Sequence, residues 1–287
     1  MRIAPIIHTR TFSCDFNSEF LVKPECFMDS DIKWARKNVL GATVEIDGLQ
    51  GFRWLIADNG KYRMAGVVGF LKNICSKCQL SAEENLKSEE IFCDDKGRLV
   101  YAFIGIVIDK QRNDNYGAIS LEYLWKIYLN KIYPIWKRTY QEAVLEKFTD
   151  INVEPISNTV PMQHVAVGLK KYYETNVTMD YELFVYYLCN RSNSEFSFCS
   201  NICDFNMVKQ SDFNIITTSQ NIITRIGRGN IVKTSSGSSS QSSDVMTSLN
   251  RTEPVQKSET KKKSFLVPLL CLMIFAVIIL MLLLIMD

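Results

Sequence analysis

Histidine is nearly missing from this chain. His8 and His164 are the only two in 287 residues, so any histidine-dependent triad or metal centre must use one of them. Other marks of chemistry are missing altogether. There is no GxSxG nucleophile elbow and no HExxH pair. Asn59-Gly60-Lys61 lacks the frame of a phosphate loop, because Leu55 stands where its first glycine belongs and Tyr62 where the Ser or Thr belongs. Gly227-Arg228-Gly229 has no third glycine, which argues against a dinucleotide site. No cofactor is expected.

A surplus of charge of one sign is lacking too. The chain holds 33 Lys and Arg against 31 Asp and Glu, and five of the basic and four of the acidic residues follow position 233. Residues 1–233 are therefore almost neutral, and nucleic acid is not an expected partner.

Long apolar runs are absent until the last residues, where one dominates. Phe265 to Met286 reads FLVPLLCLMIFAVIILMLLLIM without a charged residue. As a helix it spans roughly 33 Å, the thickness of a bilayer's hydrocarbon core, and a helix satisfies its own backbone groups, as lipid requires. Pro268 falls in the first turn, where it breaks few helical bonds. Lys261, Lys262 and Lys263 flank the run, and basic flanks stay cytoplasmic. No apolar stretch near the N-terminus is long enough for a signal peptide. The expectation is a tail-anchored, single-pass protein with residues 264–286 in membrane lipid and its N-terminal domain in the cytoplasm. Residues 234–263, rich in Ser, Thr, Gln and Lys, read as a flexible linker with a mean reach of about 30 Å. The span has no small-xxx-small pattern, though self-association through its Leu/Ile/Met face stays open.

That topology puts the eight cysteines outside the span in a reducing compartment, where they should be free thiols. It also makes the sequons at Asn176, Asn190 and Asn250 irrelevant. Cys75-Ser76-Lys77-Cys78 is the most suggestive spacing. Two thiolates so placed can chelate zinc or form a redox pair, and Lys77 would lower a thiol pKa. Cys199 and Cys203 would complete a metal site only if the fold brought them near. Separate reduced cysteines, and no metal, are the preferred reading. Glu83-Glu84, Glu89-Glu90 and Asp94-Asp95 could divide acid and base roles, but their setting reads as exposed helix and turn.

The expected fold is α+β: a largely antiparallel sheet with packed helices over 1–233, a division near residue 150 staying open, plus the C-terminal transmembrane helix. Ile3 to Phe12 and Phe20 to Val22 read as short strands. Asp29 to Leu40 reads as a helix capped by Asp29 or Ser30 and ended by Gly41. Ala42 to Ile46, Phe52 to Ala57 and Tyr62 to Val68 read as a meander with turns at Asp47-Gly48 and Asp58-Asn59-Gly60. Ser81 to Glu90 reads as an exposed helix. Ile91 to Cys93 and Leu99 to Ile108 read as a second hairpin, and LVYAFIGIVI, apolar throughout, belongs mid-sheet. Ser120 caps a helix whose period runs to Phe148, kinked or divided at Pro134. Met162 to Tyr173 and Tyr181 to Cys189 read as buried elements. Asn214-Ile-Ile-Thr217 recurs as Asn221-Ile-Ile-Thr224, a helix or strand pair completing the core.

An anchor, a linker and a domain without a visible catalytic constellation point to a membrane-tethered adaptor or sensor with a protein partner, and away from an enzyme. The alternative is a membrane-perturbing effector of defence or toxin type whose tail oligomerises. A third reading is a membrane-associated enzyme using His164 or Cys78.

Overall fold

Strand after strand in this chain is apolar on both sides, and the sheet these strands form organises everything else. The computed structural model describes residues 1–16, 19–113, 115–140, 142–153, 164–190 and 194–235. In chain order the strands are β1 (Arg2–Thr9), β2 (Val22–Pro24), β3 (Phe52–Asp58), β4 (Tyr62–Phe70), β5 (Tyr101–Asp109), β6 (Val144–Glu146), β7 (Thr149–Asp150), β8 (Val165–Val167), β9 (Lys170–Glu174), β10 (Phe196–Cys199) and β11 (Ile215–Thr218). The helices are α1 (Asp29–Thr43), α2 (Leu71–Cys75), α3 (Ala82–Glu89), α4 (Leu121–Ile132), α5 (Val177–Cys189), α6 (Phe205–Gln210) and α7 (Gln220–Ser235).

The strands join one sheet in the order β6-β2-β1-β5-β4-β3-β10-β11-β9-β8, with β7 beside the start of β1. Most neighbours are antiparallel, but β2/β6, β10/β11 and β11/β9 are parallel. The mixed α+β expectation holds, and the apolar run Leu99 to Ile108 supplies β5 between β1 and β4, as expected mid-sheet. Its residues alternate between two cores. Ile104, Ile106 and Ile108 meet Leu124, Trp125 and Tyr128 of α4 and Phe184 and Leu188 of α5. Phe103 and Val107 lie on the other face, whose core holds Ala35 and Val39 of α1, Met207 and Val208 of α6, and Ile222 and Ile223 of α7. The sheet continues past residue 150, and the Met1 ammonium donates to the Ile151 carbonyl at 2.7 Å.

A buried ion cluster fastens α5 to the β3–β4 hairpin. The Asp58 carboxylate accepts from Arg63 Nε at 2.8 Å, from Lys110 Nζ at 2.8 and 2.9 Å, and from the Gly60 amide at 2.8 Å. Arg63 Nη1 donates to the carbonyls of Leu188 and Asn190 at 2.7 and 2.6 Å, closing the C-terminus of α5.

Several local expectations fail, each for a tertiary reason. Ala42 to Ile46 is not a strand. α1 runs through Gly41 to Thr43, and a 3-10 turn at Ile46–Gly48 follows. Arg53 Nη1 takes the carbonyls of Ala42 and Val44, both at 2.7 Å, and ends the helix there. At the other end of α1 the cap is Met28, whose amide donates to Asp31 Oδ2 at 3.1 Å. The helix capped by Ser120 stops at Ile132. Pro134 sits in a 3-10 turn, Trp136 is buried, and Val144 already belongs to β6. The second hairpin reduces to a single bridge between Cys93 and Leu99. The repeated Asn-Ile-Ile-Thr forms strand β11 in one copy and the first turns of α7 in the other. The linker from 236 onward, Lys261 to Lys263, the span 264–286, the Asn250 sequon and Met162 lie outside the described residues. Among the described residues no helix is long and apolar enough to cross a membrane.

Candidate functional site

Parallel strands bring their carboxyl ends to one edge of a sheet, and loops leaving that edge for opposite faces open a crevice. β10, β11 and β9 end at such an edge. The chain leaves β9 for α5 on one face and β10 for α6 on the other. β3 is antiparallel to β10, so its first residues lie at the same edge. A cleft of about 500 Å³ opens there, lined by Glu45, Gln50, Arg53, Asn201, Cys203 and Asp204 together with Gly48 and Leu49.

Two of these residues carry backbone strain. Glu45 has φ 55° and Asn201 φ 54°, the only non-glycine residues with positive φ among those described. Such a conformation costs free energy and persists only where the surroundings over-determine it. Here Arg53, 3% exposed, braces both walls. It holds the Val44 carbonyl next to Glu45 and approaches the Asn201 carbonyl through Nε at 3.4 Å. Asn201 is held further by its amide to Thr217 Oγ1 at 2.8 Å and by Nδ2 to the carbonyls of Gln50 and Phe52 at 3.3 and 3.4 Å.

Beneath this edge lies Asp180 in the first turn of α5. Burial raises its carboxyl above the ordinary range, against the lowering influence of the nearby Thr217 hydroxyl and of the hydrogen bond from Thr175 Oγ1 at 2.8 Å. Cys203 donates to Asn201 Oδ1 at 3.2 Å. Its thiol is raised by burial of the sulfur, with Arg53 opposing and Asp180 adding. A protonated thiol is a poor nucleophile. Asp204 is committed to capping α6, accepting from the Met207 amide at 2.8 Å. The cleft can hold a polar group by ionic and hydrogen-bond contacts, and no nucleophile and base are paired in it.

The residues picked from sequence lie elsewhere, apart from Cys203. Cys75 and Cys78 belong to the core under α4, whereas Cys199 is in the opposite core, so the four do not meet. Among the described residues no group of three or more His, Cys, Asp or Glu is placed to hold a metal. Lys77 does not lower the thiols. Burial pushes Cys78 up to about 12, with Glu122 and Cys75 adding, and burial also raises Cys75. His8 is buried in β1, and His164 stands exposed before β8 with its ring 5.4 Å from that of Tyr173. Glu83, Glu89 and Glu90 are exposed and Glu84 closes the capping box with Ser81. Asp94 departs from the solvent reading: it is 5% exposed, accepts from Arg98 Nε at 2.7 Å and lies 3.4 Å from Arg10. Asp94 Oδ1 also takes the amides of Lys96 and Arg98, so the buried carboxylate fastens an otherwise exposed turn.

Arg53, Asn201 and Asp180 escaped the sequence reading. The one available signal was the tolerance of Asn for left-handed backbone, which does not distinguish Asn201 from the chain's other asparagines. Compared with protein-family models, with curated proteins and with solved structures, the chain matches none.

Proposed function

We propose that the protein is a membrane-tethered binding module, an adaptor or sensor, whose folded domain is held at a cytoplasmic membrane face by residues 264–286 and engages a protein partner. The observation that carries this reading is the uncharged run Phe265 to Met286 behind Lys261, Lys262 and Lys263. The cleft at Arg53 supports binding over catalysis, since its strained walls are braced for shape and its thiol is protonated at neutral pH.

The test is fractionation with and without residues 264–287. The full chain should stay with membranes through an alkaline carbonate wash, and the truncated chain should move to the soluble fraction. Protease outside sealed vesicles with their cytoplasmic face outward should digest the domain. An intact chain released by carbonate would end the anchoring reading, and full protection in those vesicles would reverse the orientation. Partner capture from membranes should weaken on Gln50→Arg, which places a bulky cation on the exposed rim of the cleft. Unchanged capture would move the binding surface elsewhere.

A further inference from the structure

Near-neutrality hides a local gathering of positive charge. α6 and α7 contain no acidic residue, and α1, whose first turn holds Asp29 and Asp31, presents Lys33, Arg36 and Lys37 on its exposed side further along. These three helices form one layer, since they pack on the same core. Lys37 is paired with Asp212 at 2.8 Å. Among the described residues none of Lys33, Arg36, Lys209, Arg225 and Arg228 has a carboxylate within ion-pair distance, and all five are exposed. On the opposite layer Lys87, Lys126 and Lys131 each face a glutamate, at 2.6, 3.8 and 2.6 Å, while Lys72 and Lys77, exposed at α2, have none within ion-pair distance among the described residues.

Two features concentrate the positive charge. The Arg225 guanidinium and the Lys209 ammonium lie 3.8 and 5.0 Å from the centroid of one ring, Phe205. Each contact is attractive alone, but together they gather two like charges at one spot, which an anion between them would offset. On α1 the exposed apolar side chain of Leu40, 41% exposed, stands one turn from Arg36 and Lys37, and Val44, 48% exposed, follows the helix end. Cations next to exposed apolar groups are the composition of a surface that lies in a headgroup layer.

We infer that the α1–α6–α7 layer docks on anionic lipid headgroups, so that the domain lies on the membrane with this layer inward. The inference rests on the tethered reading for its choice of partner. α7 belongs to this layer, and the sequence runs from its end to the basic flank and apolar run over a stretch whose mean reach is about 30 Å. A tether of that length keeps the layer at high effective concentration near lipid.

The experiment uses the full chain with vesicles of phosphatidylcholine alone or with about 30% phosphatidylserine. A water-soluble amine-reactive ester labels lysines, read by mass spectrometry. On anionic vesicles the labelling of Lys33 and Lys209 should fall about threefold or more relative to neutral ones, that of Lys87 and Lys126 should hold, and about 0.5 M salt should remove the difference. The double variant Arg225→Glu/Arg228→Glu should lose the protection. If that variant fails to fold, the wild-type comparison between the two layers decides alone. Equal labelling of both layers, or protection by added RNA or acidic protein but not by anionic lipid, overturns the inference. Retention on neutral vesicles through carbonate reads the tether separately. A chain retained there but equally labelled keeps the tether and loses the docking face. A chain that binds only anionic vesicles, in low salt and through this layer, keeps the face and loses the tether.

Discussion

Asp58, with a side chain wholly buried, is the residue on which most depends locally, because two cations and a backbone amide converge on it. Removing one member of a buried ion cluster strands the others away from water and costs about 3–5 kcal/mol. Asp58→Ala should therefore lower the unfolding free energy by about that much in urea titration. Asp150→Ala, which breaks the exposed 3.3 Å pair with Arg2, should change it by less than about 1 kcal/mol. Equal losses would mean that burial does not govern these pairs. Asp180 makes a pH prediction. Its folded pKa is raised by burial, so the folded state holds its proton more tightly than the unfolded one. The stability this contributes is complete below the ordinary carboxyl range and is lost as pH rises through the raised value. Asp180→Asn should thus gain on the wild type in denaturation midpoint as pH goes from acid to neutral. A difference independent of pH would remove the titration from the account.

Elements record where local preference yielded to packing. Gly41 lies inside α1 rather than at its end, and a Cβ there would meet the Phe213 ring at 3.5 Å, an ordinary contact. Gly41→Ala should stabilise by about 0.5–1 kcal/mol, as expected for an exchange inside a helix. Gly66 and Gly105 are partners across β4 and β5. A Cβ on Gly66 would fall 2.2 Å from the Ile104 carbonyl oxygen, and one on Gly105 would fall 2.5 Å from the Phe103 ring. Gly66→Ala should cost about 1–3 kcal/mol or more, since backbone must move. Thermal melts of both alanine variants, shifted in opposite directions, would bear out the two assignments. The hairpin of β3 and β4 was legible because Asn59-Gly60 supplies a turn with positive φ. The end of α1 was not, because the group that ends it, Arg53, comes from a different element. Pro134 marked a break, but whether the chain resumed a helix depended on β2, which takes Val144 to Glu146 as its parallel partner.

At the scale of the whole molecule the sheet sorts both apolar and charged residues. It carries one core on each face, and on one outer layer it gathers Lys33, Arg36, Lys209, Arg225 and Arg228, none of which has a carboxylate within ion-pair distance among the described residues. Net charge reports none of this, since both layers sum into one nearly balanced number. The cleft also belongs to this scale. Glu45 follows α1, Arg53 opens β3, and Asn201 follows β10, about 150 residues from the other two. Opening the cleft's brace with Arg53→Leu should release both strained residues together. Hydrogen exchange at 44–50 and 200–204 should then rise while that of β4 and β5 holds. Exchange rising evenly through the sheet would make Arg53 a global support instead.

The chain by itself determined the mixed α+β class, the twofold-buried centre of the sheet at Tyr101 to Asp109, the capped start of α4 and the hairpin at Asn59-Gly60. Each of these depends on short-range rules: side-chain alternation, a Ser hydroxyl accepting from an amide three residues on, a glycine at positive φ. Tertiary structure decided which of two identical Asn-Ile-Ile-Thr segments became a strand. The first copy lies between β10 and β9 and is drawn into their hydrogen bonding, while the second, packed on one face of the sheet, closes a helix on itself. Tertiary structure also decided the cleft, because Arg53, Asn201 and Asp180 have no periodic or spacing relation along the chain. They become neighbours only when parallel strands end at a common edge and a buried guanidinium must find carbonyls to bond.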